Sequence, residues 1–233
     1  MTITFASHQL ELLPQRAILI RELQAVLVSD VHLGKGAHFR RNGIPVTDGA
    51  FKNDLTRLET LVQETGCHLY VVGDLVHSTH NEEWHRFSEA HRSWNVELTL
   101  VTGNHDRYAE QHADELGISV CERVRIGNVM LVHDAKDIDG ENSPGNTMPG
   151  NYSHSPGIVL PGNYIVGHVH PAVRLPGIGR LPCFHIRDTI LTLPAFGRFT
   201  GKASLQVLPG DEVYVCTEDA VVEVPSEVFT SEE

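Results

Sequence analysis

The stretch AVLVSDVH at residues 25–32 runs from four apolar residues directly into Asp30 and His32. Four apolar residues rich in valine predict a short buried strand, so Asp30 lies at a strand end. Residues two apart on an extended backbone point to the same side. We therefore expect the side chains of Asp30 and His32 to bind one ion together.

The region after this stretch repeats the same plan. Residues 69–72 and Leu98–Val101 predict two more strands that end in polar motifs. Apolar residues at helical spacing predict one helix from Phe51, closed by Gly66, and another around Trp84. Alternation of strands and helices indicates an α/β domain with a largely parallel sheet.

The second half of the chain has a different pattern. A helix at about 108–116 is predicted to stop at Gly117, and helical periodicity then disappears. Short Val/Ile/Leu runs predict strands at 118–120, 129–132, 164–166, 189–193 and 213–215. Segment 137–163 is rich in Gly, Pro, Asn and Ser, which predicts a long loop near the site or a mobile lid. No repeat or boundary divides the chain, so we expect a single domain over residues 1–233.

Composition restricts the class of protein. Hydrophobic residues make up 41% and charged residues 21% of 233, which is typical of a globular chain. No apolar stretch is long enough to span a bilayer, and the first twenty residues do not resemble a signal peptide. The four cysteines are far apart and form no C-x-x-C pair, which favours reduced thiols. We expect a cytoplasmic protein without membrane contact.

The formal net charge of -12 is unevenly distributed. Residues 211–233 carry eight acidic and no basic side chains, which leaves 18 basic and 22 acidic groups in residues 1–210. Two divalent cations would bring that part of the chain to about zero. The overall charge therefore does not exclude an anionic substrate.

Five short polar motifs occur in order along the chain. They are Asp30-Val31-His32, Gly73-Asp74-Leu75-Val76-His77, Gly103-Asn104-His105-Asp106, Val132-His133-Asp134 and Gly167-His168-Val169-His170. Four of the five directly follow a predicted strand, and the carboxyl ends of parallel strands meet in one crevice. A single motif of this kind is more often a cap or a hydrogen-bonding group, but five in order indicate a metal site. Mixed oxygen and imidazole ligands suit manganese, iron or zinc better than calcium.

This motif set resembles the calcineurin-like metallophosphoesterases over nearly the whole chain from Asp30 to His170. The resemblance implies a four-layer α/β/β/α sandwich that hydrolyses phosphodiester bonds by attack of a metal-bridging hydroxide. It implies two divalent ions, manganese first, with iron or zinc as alternatives.

The resemblance also implies a role for each motif residue. It assigns Asp30, His32 and His170 to a first ion, Asn104, His133 and His168 to a second, and Asp74 to both. His105 would be the general acid and Asp106 would orient it. The position of His77 is similar to that of an active-site histidine in related nucleases, and a plain hydrogen-bonding role is the alternative.

Further stretches are similar to one branch of the family, the bacterial ligase-associated DNA-damage-response endonucleases. They are LGKG at 33–36, FRRNGIP at 39–45, HPAVRL at 170–175, LPAFG at 193–197 and FTG at 199–201. The resemblance implies a DNA endonuclease whose partners include repair factors such as an ATP-dependent DNA ligase. The chain between His133 and His168 is longer than we expect for this branch, which bears on substrate access.

The basic residues Lys35, Arg40 and Arg41 follow the first motif. They are candidate contacts for the phosphates of a DNA strand, and a solvated loop is the alternative. Two other functions remain open. One is hydrolysis of small phosphoesters such as nucleotides or cyclic nucleotides. The other is a scaffold without catalysis, against which the intact ligand set and His105 argue.

Overall fold

The computed structural model describes residues 1–36, 43, 49–76, 82–138, 162–198, 200–201, 203–225 and 227–230. Only the ends of segment 137–163 lie in these ranges, so the predicted lid falls outside the described residues.

A seven-stranded sheet forms the first half of the molecule. Its strands lie side by side in chain order: β1 Thr2–Phe5, β2 His8–Leu13, β3 Ala17–Ile20, β4 Ala25–Val28, β5 His68–Val72, β6 Leu98–Val101 and β7 Ser119–Cys121. Strands β4 to β7 are parallel, and β1 to β4 are antiparallel. The sheet is therefore mixed rather than largely parallel.

The antiparallel part follows from tight turns near the N-terminus. Ala6 and Ser7 have φ of +53° and +67°, as in the two-residue turns that join antiparallel strands. In β2, Leu10 and Leu12 are fully buried, and the residues beside them are more exposed. Such alternation places one face of the hairpin on the core.

Among the described residues, three helices cover one face of this sheet: α1 Gly49–Thr65, α2 Glu82–Ser93 and α3 Arg107–His112. Leu58 and Leu61 of α1 and Phe87 of α2 pack in one buried cluster with the sheet residues Val26 and Val71. Both predicted helices before residue 98 are confirmed. The helix predicted at about 108–116 is instead α3 followed by a 3-10 turn, Asp114–Leu116.

A second, nine-stranded sheet forms the other half. Its strands are β8 Arg123–Ile126, β9 Val129–Val132, β10 Asn163–Val166, β11 Pro171–Leu175, β12 Gly179–Arg187, β13 Ile190–Thr192, β14 Ala203–Ser204, β15 Glu212–Cys216 and β16 Val221–Val224. The order is β14-β11-β12-β13-β10-β9-β8, and β15 pairs with β12 and β16. Strands β9, β10 and β13 are parallel neighbours.

The two sheets pack face to face. Leu27 and Val72 of the first sheet share a buried cluster with Leu131, Ile165 and Phe184 of the second. The outer face of the second sheet carries a 3-10 turn, Ala135–Asp137, and a one-turn helix, α4 Glu227–Thr230. This is the predicted α/β sandwich. In the described part of the chain no helix is both long and apolar enough to cross a bilayer.

Candidate metal centre

All five polar motifs follow directly on strands, three in the first sheet and two in the second. Their backbones are hydrogen-bonded to one another. The N–H of Asp30 donates to the carbonyl of Gly73 (3.0 Å), and that of Gly167 donates to the carbonyl of His133 (2.9 Å). The N–H of His168 donates to Asp30 Oδ2 (2.9 Å), which joins the two sheets at this edge.

Six of the predicted ligands form two groups of three. Asp30, His32 and His170 make the first group; Asp74, His133 and His168 make the second. In each group, one ligand atom from every member lies within 4.8 Å of the others. Four of the six residues are buried, so the charge of the two carboxylates is poorly hydrated. A cation would stabilise them.

Asp74 lies between the two groups. Its Oδ2 is 3.7 Å from His32 Nε2 in the first group and 3.6 Å from His133 Nε2 in the second. Its Oδ1 accepts a hydrogen bond from the N–H of His105 (3.0 Å). This position suits the bridging role predicted for Asp74.

Backbone carbonyls fix the orientation of two histidines. His133 Nδ1 donates to Val72 O and His170 Nδ1 donates to Gly201 O, both at 3.1 Å. A carbonyl only accepts, so the proton of each neutral ring lies on Nδ1 and Nε2 carries a lone pair. His170 Nε2 faces Asp30 Oδ1 at 2.9 Å. Two acceptors at this distance need a cation between or beside them, so the donor set fits a divalent metal.

The backbone at the site is not extended. Asp30, His32, Asp74, His168 and His170 all have φ between +49° and +68°. Residues other than glycine rarely adopt this left-handed backbone conformation, and each instance costs on the order of 1–3 kcal/mol. Our expectation that Asp30 and His32 project from an extended strand was wrong, because both residues lie in the loop beyond β4.

Two glycines permit close packing behind the ligands. Gly73 has φ of +79°, and a Cβ there would overlap the ring of His133. A Cβ on Gly103 would overlap the carboxylate of Asp74. Any larger residue would therefore displace a predicted ligand.

Asp106 is fully buried behind the loops. Its carboxylate accepts from the N–H groups of Asp74 (2.7 Å), Leu75 (2.8 Å), Val76 (3.4 Å) and Gly103 (2.8 Å). Burial raises the pKa of Asp106 to about 7, and these hydrogen bonds oppose the rise. The side chain fastens the Asp74 loop to the loop that carries Asn104 and His105. Its orienting effect on His105 stays a prediction.

Burial and neighbouring charges shift the pKa values of two groups at the site, Asp30 and Lys35. Burial acts to raise the pKa of Asp30, but the contacts of this carboxyl with His170, His133 and Ser29 together outweigh burial, and the pKa is lowered. Burial lowers the pKa of the half-buried Lys35, while Asp30 and Asp74 oppose this. The ammonium group of Lys35 therefore interacts electrostatically with the carboxylates of Asp30 and Asp74.

The remaining predicted residues fall into two sets. Asn104 and His105 are exposed at the site, and the His105 ring centroid is 5.5 Å from that of His32. Their roles as ligand and general acid stay predictions. His77, Arg40 and Arg41 lie outside the described residues.

Sequence reasoning assigned no role to two neighbours of the ligands, Ser29 and Asp134, although Asp134 belongs to one of the five motifs. Ser29 Oγ donates to Asp30 Oδ2, and Asp134 Oδ2 lies 3.5 Å from His168 Nε2. Asp134 thus lies beside Nε2 of His168, while Nδ1 of the same ring faces His133 Nε2, 3.2 Å away. Both stand next to a ligand in sequence, and that adjacency was the available signal.

Comparisons with known proteins agree with this geometry. Residues 23–153 match the family model described as calcineurin-like phosphoesterase. The structure is similar to the Pseudomonas putida nuclease MPE, with a TM-score of 0.71, 28% identity and coverage of 96% of this chain and 99% of that one. An Aquifex aeolicus protein of unknown function, AQ665, has a TM-score of 0.36 at 18% identity, covering 47% and 60%. A comparison with curated proteins gave no match.

Proposed function

The chain belongs to the calcineurin-like phosphoesterase family, and on this premise we propose that it is a two-metal-ion endonuclease that cleaves phosphodiester bonds in DNA during DNA damage response. The observation that carries the proposal is the place of Asp74, whose Oδ2 lies 3.7 Å and 3.6 Å from histidine nitrogens of the two ligand groups. One carboxylate so placed can hold two ions at the separation that in-line displacement requires.

The residues of the site would divide the work as follows. The two groups, with Asn104 in the second, would hold two ions that supply a water nucleophile and positive charge for the phosphate oxygens. His105 would donate a proton to the departing oxygen. Its backbone N–H is anchored on Asp74 Oδ1, so the acid and the bridging carboxylate keep a fixed relation. Asp106 holds both loops in place.

Two observations favour a nucleic acid over a small ester. The Pseudomonas putida neighbour, which aligns over nearly the whole of both chains, is a nuclease. Lys35 is half-buried beside the carboxylates of the site and begins the basic segment that includes Arg40 and Arg41. A DNA strand bound at the metals would have flanking phosphates near this segment.

Ligand chemistry and cysteine state extend the proposal. The mixed oxygen and imidazole donors, without a thiolate, favour manganese, with iron or zinc as alternatives. All four cysteines are free, which suits a reducing compartment, and we propose the cytoplasm. The family branch suggests an ATP-dependent DNA ligase among the partners.

The test is a panel of substrates for the metal-free protein reconstituted with Mn²⁺. Supercoiled plasmid, single-stranded DNA, a cyclic nucleotide and a phosphomonoester are assayed side by side, with Fe²⁺ and Zn²⁺ in parallel. We expect nicking of the plasmid or cleavage of the single strand, and loss of both on chelation.

The matched control is the Asp74→Ala variant purified in the same way, which excludes a contaminating nuclease. Turnover of the cyclic nucleotide or the monoester with no cleavage of either DNA would contradict the endonuclease and favour the small-phosphoester alternative. No hydrolysis of any substrate with any of the three metals would favour the scaffold.

A further inference from the structure

A short strap, residues 195–198, lies against the first ligand group. The N–H of Phe196 donates to the carbonyl of Ser29 (2.8 Å), and the N–H of Gly197 donates to that of Asp30 (3.1 Å). Because Asp30 has a left-handed backbone, its conformation depends on such tertiary hydrogen bonds. The strap supplies two of them.

The chain after the strap holds the other end of the same group. Thr200 Oγ1 donates to the carbonyl of Gly197 (2.8 Å), and Gly201 O accepts from His170 Nδ1 (3.1 Å). The N–H of Ala203 donates to the carbonyl of His170 (3.1 Å). One continuous segment therefore contacts Asp30 at one end and His170 at the other.

Helix α1 holds the strap through a partly buried ion pair. Arg57 Nη1 donates to Phe196 O (3.0 Å) and to Asp54 Oδ1 (2.9 Å), and Nη2 donates to Gln15 O (2.8 Å). The guanidinium lies 4.4 Å from the centroid of the fully buried Phe196 ring. Asp54 Oδ2 accepts from the N–H of Arg198 (3.1 Å). The planar fork of one arginine thus serves three acceptors in different parts of the chain.

A buried ion pair is costly to desolvate and is weak evidence for stability alone. This pair nevertheless makes three contacts with the strap: Arg57 binds Phe196 O and lies over the Phe196 ring, and Asp54 accepts from the Arg198 N–H. The strap in turn belongs to the segment that touches two ligands of one group. The loops of the second group have separate anchors, namely Asp106 for Asp74 and Val72 O for His133. We infer that Arg57, held by Asp54, is a positioning residue for the first metal group alone. The inference rests on the proposed two-ion site.

The test is calorimetric titration of the metal-free protein with Mn²⁺. Wild type should bind two ions. The Arg57→Lys variant keeps a positive charge but cannot reach all three acceptors, so the affinity for one ion should fall by roughly 10- to 100-fold, as for other groups that orient metal ligands. The affinity for the other ion should stay within about twofold of the wild-type value. Asp54→Asn should act in the same direction.

The matched control is Arg187→Lys. Arg187 makes a comparable fork with Asp211 (2.8 and 2.6 Å) and also binds Gln206 O (3.0 Å), on the outer face of the second sheet. Arg187→Lys should lower the melting temperature about as much as Arg57→Lys does, but it should leave both Mn²⁺ affinities unchanged. If Arg57 had only a structural role, Arg57→Lys would likewise lower the melting temperature without changing either Mn²⁺ affinity.

The outcomes separate the inference from the proposed function. If wild type binds two ions and Arg57→Lys binds both with unchanged or equally reduced affinity, the inference is overturned and the proposed site stands. If wild type binds no ion, the proposed site fails, and the inference fails with it.

Discussion

Individual ligand residues at this site are held in strained backbone. Five predicted ligands have φ near +50° to +70°, and together they store several kcal/mol, at on the order of 1–3 kcal/mol each. Such strain persists only when the surroundings over-determine the conformation. Asp106 provides this for Asp74 by accepting from its N–H (2.7 Å), and the strap provides it for Asp30.

Asp74→Ala should abolish nearly all turnover. The change removes the carboxylate that faces both groups, so the loss should exceed the roughly 10- to 100-fold that is typical of groups behind the ligands. Steady-state rates and metal content per chain are measured together at saturating Mn²⁺. Asp134→Asn, which alters contacts to His168 and Lys136 but removes no predicted ligand, is the milder control. Near-normal turnover by Asp74→Ala would refute the bridging role.

His105→Ala should slow the reaction on the order of 10² to 10⁴ for substrates with poor leaving groups, which is the usual contribution of a general acid. Nitrophenyl diesters need less protonation of the leaving group, so the variant should lose less of its hydrolysis rate on these substrates. His112→Ala, which lies on α3 and stacks on Tyr108, is the control and should leave both rates unchanged. Equal losses on both kinds of ester would assign His105 a structural role.

Helices and strands with a regular local pattern of apolar residues could be predicted from the sequence. Those that depend on contacts with distant residues could not. The valine-rich β4 and β5, and α1 with its spacing of Leu55, Leu58 and Val62, follow from local pattern. Strand β12 was missed because it contains Pro182 and His185, which tertiary contacts accommodate. His185 is buried against Asp211 at 3.0 Å, a partner 26 residues further along the chain.

The basic segment that follows β4 and the first motif tests the DNA substrate. Each phosphate contact contributes a log-log salt slope of about -0.7 to -0.9. Replacing Lys35, Arg40 and Arg41 with alanine should therefore flatten the slope of DNA affinity by about two to three units. Hydrolysis of a small nitrophenyl diester should barely change.

DNA affinity and diester turnover are measured across a salt series for the wild type and this triple variant. Arg86→Ala, Arg92→Ala and Arg125→Ala combined form a control of equal charge, because all three side chains are exposed and lie outside the five motifs. If the triple variant and this control have the same slope, the basic segment is a solvated loop.

At the scale of the whole molecule, the site lies where two sheets meet, and its ligands come from both. The motif order in the sequence predicted this convergence, because strand ends of one sheet edge meet. The fastening of the strap was not predictable. Arg57 and Phe196 are 139 residues apart, and Arg16 and Ala195 are 179 apart, so no local pattern records either contact.

We expect the acid stability of the second sheet to depend on Asp211. Burial acts to raise the pKa of this carboxyl, but hydrogen bonds from Arg187, the Leu208 N–H and His185 hold it at about 2. Since the folded pKa is below the ordinary value of 3.8, the stabilisation is complete above about pH 4 and is lost as the pH falls through 2. The shift corresponds to about 2 kcal/mol at neutral pH.

Asp211→Asn should therefore unfold about 2 kcal/mol more easily than wild type at pH 7, and this difference should shrink between pH 4 and pH 2. Urea unfolding of the chelated proteins at each pH gives the difference directly. Titration of the metal ligands is common to both proteins and cancels. Asp219→Asn, in the exposed turn between β15 and β16, is the control and should differ little from wild type at any pH. A difference between wild type and Asp211→Asn that stays constant from pH 7 to pH 2 would mean that the contribution of Asp211 is packing rather than charge.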